Sequence, residues 1–78
     1  MRNMGYINIS REKVKALLTS APARVHEKEL AARAGMSFPT YWRRFMGKKW
    51  REETTRNLAA ILSEIVGREI RIEELIDG

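Results

Sequence analysis

The sequence has no cysteine. That excludes a disulfide framework and a thiolate zinc site, and it fits a reducing compartment. No apolar run approaches the roughly 20 residues that span a bilayer. The opening stretch, MRNMGYINIS, lacks the apolar middle of a signal peptide. The expectation is a cytoplasmic protein with no membrane partner. Histidine occurs once, as His26 at the start of a helix-like stretch. There is no glycine-rich phosphate loop, no metal-ligand cluster and no carboxylate pair set for acid–base work. The reading is therefore a non-enzyme, with no catalytic residue, no metal and no cofactor. A chain of 78 residues makes one small domain, 1–78. Such a domain buries only roughly 60% of its unfolded surface and has no room for a deep cleft.

Acidic residues are missing from one long stretch. AGMSFPTYWRRFMGKKWR, Ala34 to Arg51, holds five basic residues, five aromatic ones and no carboxylate. Residues 1–23 carry four basic and one acidic residue, residues 24–51 eight and two, and residues 52–78 three and seven. The overall charge of +5 is thus concentrated in the first two thirds. A basic face suits a polyanion, because phosphate neutralisation supplies most non-specific nucleic-acid affinity. The plain alternative is a solvated surface that keeps the protein soluble.

What is present is mostly helical patterning. SREKVKALLTSAP predicts a first helix with Ser10 as N-cap, a stripe of Val14, Leu17 and Leu18, and Pro22 beyond its end. In VHEKELAARAG, Leu30, Ala31 and Ala34 share a face, Gly35 closes the helix, and Val25 is placed to staple Leu30. SFPTYWRRFM is a third helix capped by Ser37, with Pro39 tolerated in the first turn. GKKWREET is a connection to a long fourth helix, TRNLAAILSEIV, whose stripe is Leu58, Ile61, Leu62 and Ile65 and whose end is Gly67. YINI, residues 6–9, and REIRI, residues 68–72, alternate like short strands that pair with each other or across a dimer. IEELI is either a last helical turn or the end of the second strand. The fold class is all-α: a compact four- to five-helix bundle containing a helix-turn-helix, with room for a short two-stranded ribbon from the N- and C-terminal segments.

The spacing from Leu30 to Phe45 carries the functional reading. A helix ends in ELAARAG, a GMS turn follows, and a second amphipathic helix begins at once, which is the layout of a helix-turn-helix. Ala31 is small where the helices cross, Gly35 allows the turn, Met36 plugs the corner, and Tyr41 with Phe45 seats the second helix on the first. KELAARAGMS followed by a basic helix, then RNLAAILSEIVG and IEELI, resembles the Cro and phage-repressor (Xre-type) DNA-binding domains over Ser10 to Ile76. The resemblance implies about five helices, the third entering the major groove. The chain departs from that pattern at Tyr41, where a small aliphatic residue is usual, and at Phe38 and Pro39, where polar residues are. Locally GMSFPTYWRRFMGKK is similar to the tetracycline-repressor type, with its aromatic, phenylalanine and lysine at Trp42, Phe45 and Lys48. That likeness implies that Trp42 and Lys48 lie against the DNA backbone. This chain has no length for the ligand-binding domain of that type.

Helical geometry separates the faces. Tyr41 and Phe45 share a side with Phe38 at its edge, while Pro39, Thr40 and Arg43 point away, with Trp42, Arg44 and Met46 on the flanks. Arg43 is the base-reading candidate, since a guanidinium bonds guanine O6 and N7 together. Ser37 and Thr40 suit phosphate, or a thymine methyl in the case of Thr40. Phe38 and Pro39 read only shape or a methyl group. Lys48, Lys49 and Arg51 are phosphate clamps that position without specifying. Trp50 belongs to the core rather than to DNA, and Trp42 suits core and backbone contact equally. Arg44 has the alternative of a surface bridge to Glu52 or Glu53, and Arg11, Lys13 and Lys15 are read as solvated.

The function expected is a sequence-specific double-stranded DNA binder of phage or prokaryotic type, a repressor or regulator, acting as a homodimer on a pseudo-palindrome. The dimer surface would use REIRIEELI, MGYINI or both. The second hypothesis is a protein-interaction module, an antitoxin or adaptor, favoured by the apolar Phe38, Pro39, Trp42 and Met46. RNA or single-strand binding ranks lower, because Tyr41 and Phe45 are committed to packing.

Overall fold

The computed structural model describes residues 6–77. The chain runs β1 (Tyr6–Ile7), α1 (Arg11–Ser20), α2 (Glu27–Arg33), α3 (Phe38–Gly47), β2 (Trp50–Arg51) and α4 (Glu52–Val66), then a 3-10 turn at Ile72–Glu74. The described residues are mostly helical, and none of their helices is long and apolar enough to cross a membrane. α4 is the spine, with α1, α2 and both strands packed on it, while α3 packs on α2.

The helix boundaries follow local chemistry. Ser10 accepts a hydrogen bond from the Lys13 amide at 3.2 Å and starts α1. Val14 and Leu18 are buried on its stripe, and Leu17 is half-buried. The fourth helix begins three residues before Thr55, at Glu52. Glu52 and Glu53 fill its first turn, where carboxylates favour the helix dipole. Its buried face is Thr55, Leu58, Ala59 and Leu62, with Ile61 and Ile65 half-buried beside it. Thr55 satisfies its hydroxyl on the Arg51 carbonyl at 2.7 Å. Gly67, at φ 89°, ends the helix.

The ribbon differs from expectation. β1 pairs antiparallel with β2, in the register Tyr6↔Arg51 and Ile7↔Trp50, and not with residues 68–72. The reason is burial: the inward pair brings Ile7 onto the core and Trp50 into it, with no exposure. REIRI offers one deep anchor, Ile70, whose amide donates to Ser63 Oγ on α4 at 2.8 Å. That bond ties the segment to a helix and leaves it no strand partner. IEELI then forms the 3-10 turn. The segments around residues 9 and 76 do meet, by one bridge at Ile9↔Ile76 and by the Ser10 amide donating to the Leu75 carbonyl at 2.7 Å. Of the expected dimer segment MGYINI, residues 1–5 lie outside the described residues.

Candidate functional site

The corner between α2 and α3 is closed by backbone hydrogen bonds. The Met36 amide donates to the Ala31 carbonyl and the Gly35 amide to Ala32, each at 3.0 Å, which is the double bond of a Schellman ending. Gly35 supplies the left-handed residue at φ 79°. α3 starts immediately. Ser37 Oγ accepts from the Thr40 amide at 3.3 Å and donates to Thr40 Oγ1 at 3.0 Å. Pro39 sits in the first turn, where its missing N–H is not needed. This helical hairpin carries Leu30, Ala31 and Tyr41 into the core.

Aromatic packing fixes the inner side of α3. Tyr41 is fully buried. Its ring lies 5.7 Å from Phe38, 4.9 Å from Phe45 and 6.0 Å from Trp50, and Phe45 meets Trp50 at 4.9 Å. Phe38, half-buried in this group, is the one member of the expected contact set whose ring is committed to the core side. Trp50 is core, and its indole N–H has no hydrogen-bond partner among the described residues.

The other expected residues lie at the surface. Ser37, Pro39, Trp42, Arg43, Lys48, Lys49 and Arg51 are exposed, and Thr40 and Arg44 are half-buried. Arg43 Nε donates to the Pro39 carbonyl at a long 3.3 Å. Arg44 does not bridge to Glu52 or Glu53. Its guanidinium stands 6.0 Å above the Trp50 ring, and Glu52 pairs with Arg56 instead. Lys48 occupies the left-handed region at φ 54° and closes α3, with the Lys49 amide donating to the Arg44 carbonyl at 3.0 Å. Among the described residues Arg43, Arg44, Lys48, Lys49 and Arg51 have no carboxylate partner. Arg11, Arg33, Arg56, Arg68 and Arg71 each have one. Lys13, Lys15, Arg24 and Lys28 also lack a carboxylate partner among the described residues, so what sets α3 and its exit apart is five such cations, Arg43 to Arg51, in a stretch without an acidic residue.

One feature of the surface is not legible in the sequence. Arg11, expected to be solvated, donates from Nε and Nη2 to the two Glu27 oxygens at 3.0 and 2.8 Å, and its guanidinium lies 4.4 Å over the Trp42 ring. The Tyr41 hydroxyl donates to the same carboxylate at 2.7 Å. Three helices are thereby joined at one node. Burial by itself pushes the Glu27 carboxyl up, but the hydrogen bonds from Arg11 and Tyr41 outweigh it and hold the group below its ordinary range. The Arg11 guanidinium is raised, first by its bond to Glu27. Burial, then the bond to Glu27, pushes the Tyr41 hydroxyl far above its ordinary value. The partners are 14 and 16 residues apart, beyond any local spacing rule. Tyr6, a strand residue by its alternation, likewise has a partner that local spacing does not indicate: the Arg51 guanidinium sits 5.5 Å from its ring.

A groove of about 540 Å³ lies elsewhere, between α4 and the C-terminal segment, lined by Ile7, Ala60, Ser63, Ile70 and Ile72 among others. Comparison with protein-family models, with curated proteins and with solved structures gives no match.

Proposed function

We propose that the protein is a sequence-specific double-stranded DNA-binding protein of helix-turn-helix type, a small transcriptional repressor or regulator that lays α3 in the major groove. The observation that carries this reading is the unpaired cationic surface running from Arg43 to Arg51, on a helix whose Tyr41 and Phe45 are turned inward. A bare row of five uncompensated cations repels itself. Phosphates on either side of a groove relieve that repulsion, and counterion release supplies the affinity.

The roles divide by chemistry. Arg43 keeps its two terminal amino groups for guanine O6 and N7, because only its Nε is engaged, and weakly. Ser37 and Thr40, at the amino end of α3, face phosphate. Trp42, steadied by Arg11, packs against the sugar–phosphate backbone. Lys48, Lys49 and Arg51 neutralise phosphates and fix register without reading sequence. One such domain spans only a few base pairs. Useful specificity comes from two copies on an inverted repeat spaced about one helical turn, ~34 Å. On this reading the protein works in the cytoplasm and without a catalytic step.

Selection from a random duplex pool at physiological salt tests the reading directly. The expected product is an enriched inverted repeat. A pool that stays random through successive rounds refutes sequence-specific binding.

A second reading, a protein-interaction module of the antitoxin or adaptor kind, is favoured by Met46 at 65% exposure and Trp42 at 38%. Both are apolar and lie on the flanks of the same helix. Failure to bind any duplex even at low salt would favour it over the first.

A further inference from the structure

We propose that the two-stranded ribbon is a second contact element for DNA. In this proposal Tyr6 and Arg51 grip the sugar–phosphate backbone beside the stretch that α3 occupies. The inference rests on the DNA-binding reading and adds to it a surface outside the helical hairpin.

The ribbon's two faces differ sharply. Its inward pair, Ile7 and Trp50, belongs to the core and accounts for the pairing. Its outward pair is Tyr6 and Arg51, and core packing requires neither. Tyr6 is 54% exposed, against 38% for Trp42, the other exposed residue among the described tyrosines, tryptophans and phenylalanines. Arg51 has two carboxylates next to it in sequence, Glu52 and Glu53, yet it pairs with neither. Its guanidinium lies instead over the Tyr6 ring at 5.5 Å. The attraction of a cation for a ring face favours this placement, and the guanidinium N–H groups have no acceptor among the described residues.

Position connects the ribbon to α3. Only Lys48 and Lys49 separate β2 from the helix, and both are exposed. The Lys49 stem lies along Gly47, 3.7 Å from where a side chain would begin there. The exposed cations Lys48, Lys49 and Arg51 therefore lead from the exit of α3 to the ribbon's outer face. Glu52 and Glu53 limit this run on the α4 side. A guanidinium beside an aromatic ring matches a phosphate beside a deoxyribose: one bonds the anion, the other covers the apolar sugar. Such contacts carry no base information. The ribbon therefore lengthens the footprint and raises affinity without altering sequence choice.

The test uses the full chain with selected and random duplexes, titrated at several salt concentrations and footprinted with hydroxyl radicals. Tyr6→Thr removes the ring and keeps strand propensity, Tyr6→Phe keeps the ring, and Arg51→Gln removes the charge. Tyr6→Thr and Arg51→Gln are expected to weaken both duplexes alike, by about 3- to 10-fold. Arg51→Gln should also flatten the log-affinity against log-salt slope by about one unit. Protection should be lost at one edge of the footprint, and Tyr6→Phe should behave as wild type. If Tyr6→Thr melts far below wild type, Arg51→Gln, which alters only an exposed side chain, decides alone. Wild-type affinity, slope and footprint edge in the variants, with Arg43→Ala still impaired, overturn the ribbon's role and leave the DNA reading intact. A loss confined to the selected sequence overturns the backbone assignment. A wild-type protein that binds no duplex removes the reading beneath, and the ribbon's role with it.

Discussion

Two neighbouring cations illustrate how different the roles within one basic run are. Arg43 projects from the middle of α3, loosely held by the Pro39 carbonyl. Lys48 sits at the helix exit in a left-handed conformation that glycine adopts more readily. Arg43→Ala is expected to cost about 1–3 kcal/mol on a selected site and to relax base choice at one position; competition binding against single-base variants measures both. Lys48→Gly has effects of opposite sign on stability and binding. Releasing the backbone should stabilise the fold by about 0.5–1 kcal/mol, a rise of about 3–6 °C in melting temperature for a domain this size. Losing the charge should weaken every duplex equally. A Lys48→Gly protein that melts no higher, or that loses affinity only on its selected site, contradicts the assignment.

Between the helices, the Arg11–Glu27–Tyr41 node ties α1, α2 and α3 together through one carboxylate. Its carboxylate is shared by a guanidinium from α1 and a hydroxyl from α3, while Glu27 itself begins α2. Because the Glu27 carboxyl is held below its ordinary range, its contribution to stability is complete above about pH 4.3, its unfolded value. That contribution disappears as pH falls through the lower folded value. Glu27→Gln is expected to lose about 1–3 kcal/mol at neutral pH, since two donors are left with a weaker, neutral acceptor. Arg11 keeps part of its side chain in water, which holds the loss below that of a fully buried pair. Denaturant melts from pH 7 down to pH 2.5 should show the wild-type and Glu27→Gln curves converging. Parallel curves would mean that Glu27 is not the group that titrates.

Charge over the whole molecule is uneven, with five cations and no acid from Arg43 to Arg51 and an excess of acid in residues 52–78. If four or five of the cations from Arg43 to Arg51 meet phosphate, log affinity should fall with log salt at a slope of about −4 per bound copy. Anisotropy titrations between 50 mM and 300 mM salt, roughly the range in which such slopes are measured, read it directly. A slope near zero would favour the protein-interaction reading, in which Trp42 and Met46 meet an apolar partner surface.

Much of the fold was legible in local chemistry. Ser10 and Ser37 cap because their hydroxyls reach the next turn's amides, Gly35 and Gly67 stop helices because they tolerate positive φ, and Val14, Leu30, Leu58 and Leu62 recur at helical spacing. The run of cation without acid was equally plain. Tertiary structure alone decided which strand β1 meets, because YINI and REIRI alternate equally well and only the burial of Trp50 favours residues 50–51. It also decided that Arg11 joins Glu27 and covers Trp42, and that Arg51 lies over Tyr6. Periodicity and capping act within a turn or two of the chain and are written in neighbouring residues. Partners far apart in sequence are chosen by how the helices pack, and the best total burial of the whole domain sets that choice.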